Sequence, residues 1–217
     1  MTLKIAKRLQ ERQVGKISLK SLEKVFLARR VNPRLVETIF LNSSNEKVLD
    51  NVHDFLVERV VAGDKRALNV LLRASDESLN KNLESRLRAV DGLEYLALRR
   101  ELGVWIGLLR AASDSDTGVR RSAISGFVSL ASHGELKVLP SLLRAVGDSD
   151  ALVRWNAVDG LKQFALKGEA GALPGLLKAL KDSDVGVSTR AVLGFKYLAK
   201  LGNRQAQEKL IQLKETW

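Results

Sequence analysis

The chain has no cysteine among its 217 residues and two histidines. The first absence excludes a disulfide framework and a thiolate metal site, and it fits a cytoplasmic protein. His53 and His133 lie far apart in the sequence, and both are expected to be solvated rather than catalytic. No charge-free apolar run is long enough for a membrane span or a signal peptide. The phosphate-cradling P-loop, the dinucleotide fingerprint, the H-E-x-x-H zinc motif and the nucleophile elbow are all missing. No cofactor and no metal is therefore expected. Aromatic residues make up 5% of the chain, so any aromatic on a polar face carries information.

What is present is repetition. Segments starting at Leu108, Leu142 and Leu176 align without a gap, 34 residues apart. A fixed period in this range predicts a solenoid of stacked supersecondary units. Each copy opens on an apolar pair, Leu108-Leu109, Leu142-Leu143 or Leu176-Leu177, which marks a first helix, A. An Asp-Ser-Asp turn follows at 114–116, 148–150 and 182–184. The second Asp stands where a helix N-cap belongs. Apolar positions then recur with a helical period: Val119, Ala123, Phe127 and Leu130; Val153, Ala157, Leu161 and Phe164; Val187, Ala191, Phe195 and Leu198. These mark helix B. Gly126, Gly160 and Gly194 share its buried face, and Gly134, Gly168 and Gly202 end it. Upstream the pattern decays. Asn82 and Asn45 take the cap position, and the turn after Leu71–Ala74 is three residues longer. Helix B is predicted to start near 45, 82, 116, 150 and 184.

The L-L-[RK]-A of helix A, the D-x-D turn and the V-R-x-x-A at Val119-Arg120 and Val153-Arg154 resemble the HEAT family in its short regular form. The resemblance covers about residues 37–209, and Ser188 departs from it where an Arg belongs. It implies an all-α, right-handed α-solenoid of five helical hairpins, at about 37–70, 71–107, 108–141, 142–175 and 176–209. Residues 1–36 are read as a separate basic helical cap on the solenoid of residues 37–217. The family also implies that Asp116 with Arg120, and Asp150 with Arg154, belong to a structural ladder between repeats. Their i,i+4 spacing allows them to pair on one helix.

The net charge of +11 is uneven. Residues 1–36 hold ten basic and two acidic groups, and residues 176–217 eight and four, while the middle is close to neutral. Lys4, Arg8 and Arg12 step by four along one helix face, and Lys16, Lys20 and Lys24 repeat the step. This patch faces phosphate or an acidic partner, or it keeps the end of the solenoid soluble. Arg73, Arg110, Arg144 and Lys178 share one helix A position and would form a row, read as a solvated column pairing with turn aspartates.

On helix B the column two residues after the repeat's Val is Leu87, Arg121, Trp155 and Thr189; one turn on lie Asp91, Ser125, Asp159 and Leu193. By HEAT analogy these line the concave surface, with Tyr95 and Tyr197 in a nearby column. Trp105 falls with Leu139 and Leu173 and is expected in the core. The stretch Trp155 to Leu161, with Arg190 one repeat later, resembles the catalytic segment of the HEAT-like alkylpurine DNA glycosylases. That resemblance implies Trp155 for stacking, Asp159 for stabilising a sugar cation and Arg190 for phosphate. The family adds an aromatic from one further repeat, and this sequence ends before it. Short regular HEAT repeats also occur in phycobilin lyases, but no cysteine or chromophore-handling residue supports that here.

The expectation is a non-enzymatic scaffold for a protein partner, engaged through Arg121, Trp155, Asp159, Arg190, Tyr95 and Tyr197 and through the basic N-terminus. A nucleic-acid-binding protein, in its enzymatic form a glycosylase, is the alternative.

Overall fold

The computed structural model describes residues 33–215. Among these residues there are eleven α-helices and no strand. Residues 1–32 of the basic cap, with Lys4, Arg8, Arg12, Lys16, Lys20 and Lys24, lie outside the described residues. The helices are α1 (Pro33–Asn42), α2 (Glu46–Val61), α3 (Lys65–Ala74), α4 (Leu83–Leu98), α5 (Val104–Ala111), α6 (Thr117–Ser132), α7 (Leu139–Ala145), α8 (Ala151–Leu166), α9 (Leu173–Ala179), α10 (Val185–Lys200) and α11 (Arg204–Glu215). Short A helices alternate with B helices, and α2, α4, α6, α8 and α10 are each 16 residues long. The helices form two compact units, divided within α6 between Val119 and Arg120.

Each B helix begins where the sequence places its cap. The side chains of Asn45, Asn82, Asp150 and Asp184 accept backbone N–H groups of the first turn. Asp116 accepts from the Val119 N–H at 3.1 Å. Such a cap is worth about 1 kcal/mol. The A helices α7 and α9 carry Pro140 and Pro174 in their first turn, where a missing N–H costs nothing. Four B helices end on a left-handed glycine: Gly63, Gly134, Gly168 and Gly202, with φ between 78° and 85°. The fifth, α4, ends on Arg100 at φ 62°, a conformation that is costly for a side chain with a Cβ.

The core columns are closed to water. Phe40 and Phe55 fill the first unit, and Phe127, Phe164 and Phe195 the second. Ala123, Ala157 and Ala191 are fully buried. Gly160 and Gly194 allow the close approach expected of them. A Cβ on Gly160 would lie 2.8 Å from Leu142 Cδ1, and one on Gly194 2.8 Å from Leu176 Cδ1. The column expected to put Trp105 in the core is instead a rim. Trp105 and Leu139 are half-buried, and Leu173 alone is buried. These residues sit in the first turn of the A helices, where the chain arrives from a surface loop.

The Asp–Arg ladder is present, with partners other than the i,i+4 ones. Arg120 holds Asp148 through Nε at 2.9 Å and Nη2 at 3.0 Å. Arg154 holds Asp182 at 2.7 and 2.9 Å. Arg86, unnoticed in the sequence, holds Asp114 at 2.9 and 3.1 Å. Each Arg reaches the first Asp of the next turn, 28 residues on. Asp116 and Asp150 are occupied in capping their own helices. The first Asp also accepts the backbone N–H of the second, at 2.9 Å in all three turns. The Arg154 guanidinium holds Asp182 below the ordinary carboxylate range. Burial pushes Asp148 up, but Arg120 and the Asp150 N–H outweigh it and Asp148 also ends below that range. The ladder stops where the sequence stops supplying it. Leu49 takes the Arg position of α2, and the turn that follows carries neutral Asn80, bonded to Ala74 O and Ser85 Oγ.

Candidate functional site

Helices α8 and α10 pack side by side through their buried columns, which fixes what faces outward beside them. Trp155 and Asp159 lie one turn apart on α8; Arg190 lies on the first half of α10. The Trp155 ring lies against Gly186: a Cβ built there would be 3.5 Å from its Cδ1. Arg190 stacks on the ring. Its Cζ is 3.6 Å from the centroid of the Trp155 ring, a close cation–π stack. Its Nη1 donates to Asp159 Oδ1. The same oxygen pairs with Lys162 Nζ, three residues further along α8.

The four side chains form one unit drawn from two repeats. It is neither core nor open surface: the side chains of Asp159, Lys162 and Arg190 keep 19%, 16% and 24% of their exposure. Two cations surround one carboxylate, so the cluster is net positive. Its partly excluded water strengthens the ion pairs, and the second cation holds the carboxylate in place. Chemically this is a rigid aromatic–guanidinium surface that presents N–H donors and positive charge.

The structure thus brings together three of the residues singled out from sequence and adds Lys162. That residue was legible in principle, because an i,i+3 pair shares a helix face. Arg121 is exposed on α6, and its carbonyl receives Asn156 Nδ2 at 3.5 Å. Tyr197 is half-buried on α10 and helps to line a cavity of about 450 Å³ between α10 and α11, with Leu193, Lys196, Ala199, Lys200 and Leu210. Tyr95 belongs to the first unit, is 46% exposed and carries the Arg99 guanidinium 5.8 Å from its ring centroid. Of the helix A row, all four cations are exposed; Arg73 pairs with Glu37 and Arg110 with Asp76.

His53 is half-buried rather than solvated. Gly92 has no side chain, so the imidazole enters the α2–α4 contact, with Nδ1 2.9 Å from Asp54 and Nε2 buried without a hydrogen-bond partner. No group of three or more His, Asp or Glu that could hold a metal ion occurs among the described residues. No helix among them is long and apolar enough to cross a membrane.

Residues 107–196 match a family model for HEAT repeats. No curated protein matches the chain. Among solved structures, the chain is similar to a designed armadillo repeat protein in complex with the peptide (KR)4, at 17% identity over 90% of this chain and 92% of that one, with a TM-score of 0.55. It is similar to the TOG domain of Zyg9 from C. elegans, at 18% identity over 95% and 86%, TM-score 0.55. An engineered protein is similar at 17% identity over 92% and 98%, TM-score 0.55. At these identities the likeness is one of fold: a solenoid of helical repeats.

Proposed function

We propose that this chain is a non-enzymatic scaffold of the cytoplasm that holds a protein partner on the B-helix faces of its regular repeats. The Trp155 cluster carries the reading. Trp and Arg are the side chains that most often dominate interface energies, and here they are stacked, oriented and half-open to solvent. Ordering them in advance removes part of the entropy cost of binding. The similar designed armadillo repeat protein is itself in complex with a peptide, which supports a peptide or protein as the partner. Arg121 and Tyr197 belong to the same surface; Tyr95 and the basic N-terminal stripe are further contacts. The test is affinity capture with nuclease-treated extract, comparing wild type with Trp155→Ala and Arg190→Gln. Partners retained by wild type and lost by both variants support the reading. Retention by both variants overturns it.

One observation favours the glycosylase alternative: Asp159 meets Arg190 across the repeat boundary, beside Trp155. Against it, the Arg190 guanidinium already lies on a face of the ring where a nucleobase would stack, and Asp159 is held by two cations. No release of methylated bases from alkylated DNA is expected. Release by wild type that is lost in Asp159→Asn would replace the scaffold reading with the enzymatic one.

A further inference from the structure

The B helices of the second unit differ from those of the first in a way that specifies chemistry. From Arg120 to Lys200, helices α6, α8 and α10 carry seven basic residues and one acidic one. The acidic one is Asp159, already paired with two of the seven. Arg120 and Arg154 belong to the ladder. That leaves Arg121, Lys196 and Lys200 exposed, with Arg121 in the helix-B column of Trp155 and Lys196 in that of Lys162. The cavity lined by Leu193, Tyr197 and Leu210 lies beside them, with Lys196 and Lys200 among its lining residues. Leu193 is 39% exposed.

We infer that the segment bound here is an extended acidic peptide that places one bulky apolar side chain in the cavity between α10 and α11. The inference rests on the scaffold reading and names its ligand. Three observations select a peptide over a nucleic acid strand. The face of Trp155 under Arg190 is filled, so base stacking, which carries much of single-strand binding, has no free platform there. A carboxylate, Asp159, sits amid the cations, where a continuous line of phosphates would meet it. The cavity is apolar, lined by Leu, Tyr and Ala beside two lysines. The charge pattern also gives a spacing. Packed helices lie about 10 Å apart, and an extended chain advances about 3.3 Å per residue. Arg121 on α6 and Lys196 on α10 are two B helices apart and so meet residues about six apart on such a peptide, with the net positive Trp155 cluster opposite the position midway between them.

The probe is a labelled peptide of about twelve residues with Glu at every third position and one Leu, read by fluorescence anisotropy at low salt. Its controls are the same peptide with Gln or with Lys for Glu, and a single-stranded DNA of similar length. Wild type is expected to bind the Glu peptide, with affinity falling as salt rises. The variant Arg121→Glu with Lys196→Glu changes two exposed side chains and is expected to fold as wild type, checked by its helical signal and melting. It should bind the Glu peptide at least roughly tenfold more weakly and gain affinity for the Lys peptide. Binding of the Lys or Gln peptide by wild type as tightly as the Glu peptide overturns the acidic ligand; if that binding needs Trp155, the scaffold reading stands. Tighter binding of the DNA, dependent on Trp155, overturns both. No binding of any peptide overturns the inference, and partner capture then decides the scaffold reading separately.

Discussion

In the first unit, helices α2 and α4 carry seven acidic and four basic side chains; in the second, the B helices carry seven basic and one acidic from Arg120 on. Beneath that reversal the two units share one skeleton: B helices of equal length, capped by Asn or Asp, with a bidentate Arg–Asp rung in each. The difference teaches where this sequence is constrained. Buried columns, caps and rungs fix the hairpin, and the outward positions are left free to acquire a sign. Unit one adds irregularities: the turn between α3 and α4 is longer, and Arg100 stands where the other B helices end on glycine.

The rungs offer the sharpest way to break the comparison. In the first unit Arg86 and Asp114 are 6% and 1% exposed; in the second Arg154 and Asp182 are 14% and 8% exposed. Asp114→Ala strands a buried guanidinium and is expected to cost about 3–5 kcal/mol in denaturant unfolding. Asp182→Ala leaves a cation nearer to water and should cost about 1.5–3 kcal/mol. Equal costs would show that burial does not set the value of a rung. Next, Ala157→Leu overpacks a fully buried position and should lose about 1–3 kcal/mol. A variant melting at the wild-type temperature would mean the B-helix packing of the second unit is not what the columns imply.

A smaller effect runs in the opposite direction. Arg100→Gly gives the first unit the ending that the others use and should stabilise it by about 1 kcal/mol, read as a higher melting temperature. No gain would mean that the Arg100 side chain makes compensating contacts. The smallest effect is one of pH. Asp148 and Asp182 in the second unit lie below the ordinary carboxylate range, and in the first Arg66 holds Asp64 down to about 2. A carboxylate depressed on folding contributes stability above its unfolded value and loses it as pH falls through the folded one. Stability should therefore fall from about pH 4 towards about pH 2, and Asp182→Asn should flatten that fall slightly, because its pair is partly open to solvent. An unchanged acid profile in the variant would show that the pair contributes nothing measurable.

The B-helix starts were legible because a short polar residue stands at a fixed distance before each apolar column. Asn45 and Asn82 served as well as the aspartates, although the loops around them had drifted. The rungs were half legible. Spacing alone offers Asp116 to Arg120, but Asp116 is committed to the Val119 N–H, and the guanidinium takes the aspartate that leaves two oxygens within reach. Arg86 was hidden because its own turn carries asparagines, so the motif was not visible in that copy. Of the candidate site, the column position of Trp155 showed that the ring would be outward. It did not show that Arg190 would cover a face of it. That depends on how α10 is set against α8, which brings a side chain from the next repeat over the ring.

The ladder's offset has a consequence for how such a chain can change length. Each Arg satisfies an Asp in the following copy, never in its own. Duplicating residues 142–175 in tandem would therefore leave no charge stranded: Arg120 would meet the first Asp148, the first Arg154 the second Asp148, and the second Arg154 would keep Asp182. Excising the same block would let Arg120 meet Asp182 directly. For the ladder, whole-copy gain and loss are thus silent, whereas an insertion out of step between an Arg and its Asp breaks a rung at once; excision would also remove Asp159 and leave Arg190 without that carboxylate. A gene carrying this repeat can therefore gain or lose 34-codon steps by unequal crossing-over without stranding a ladder charge.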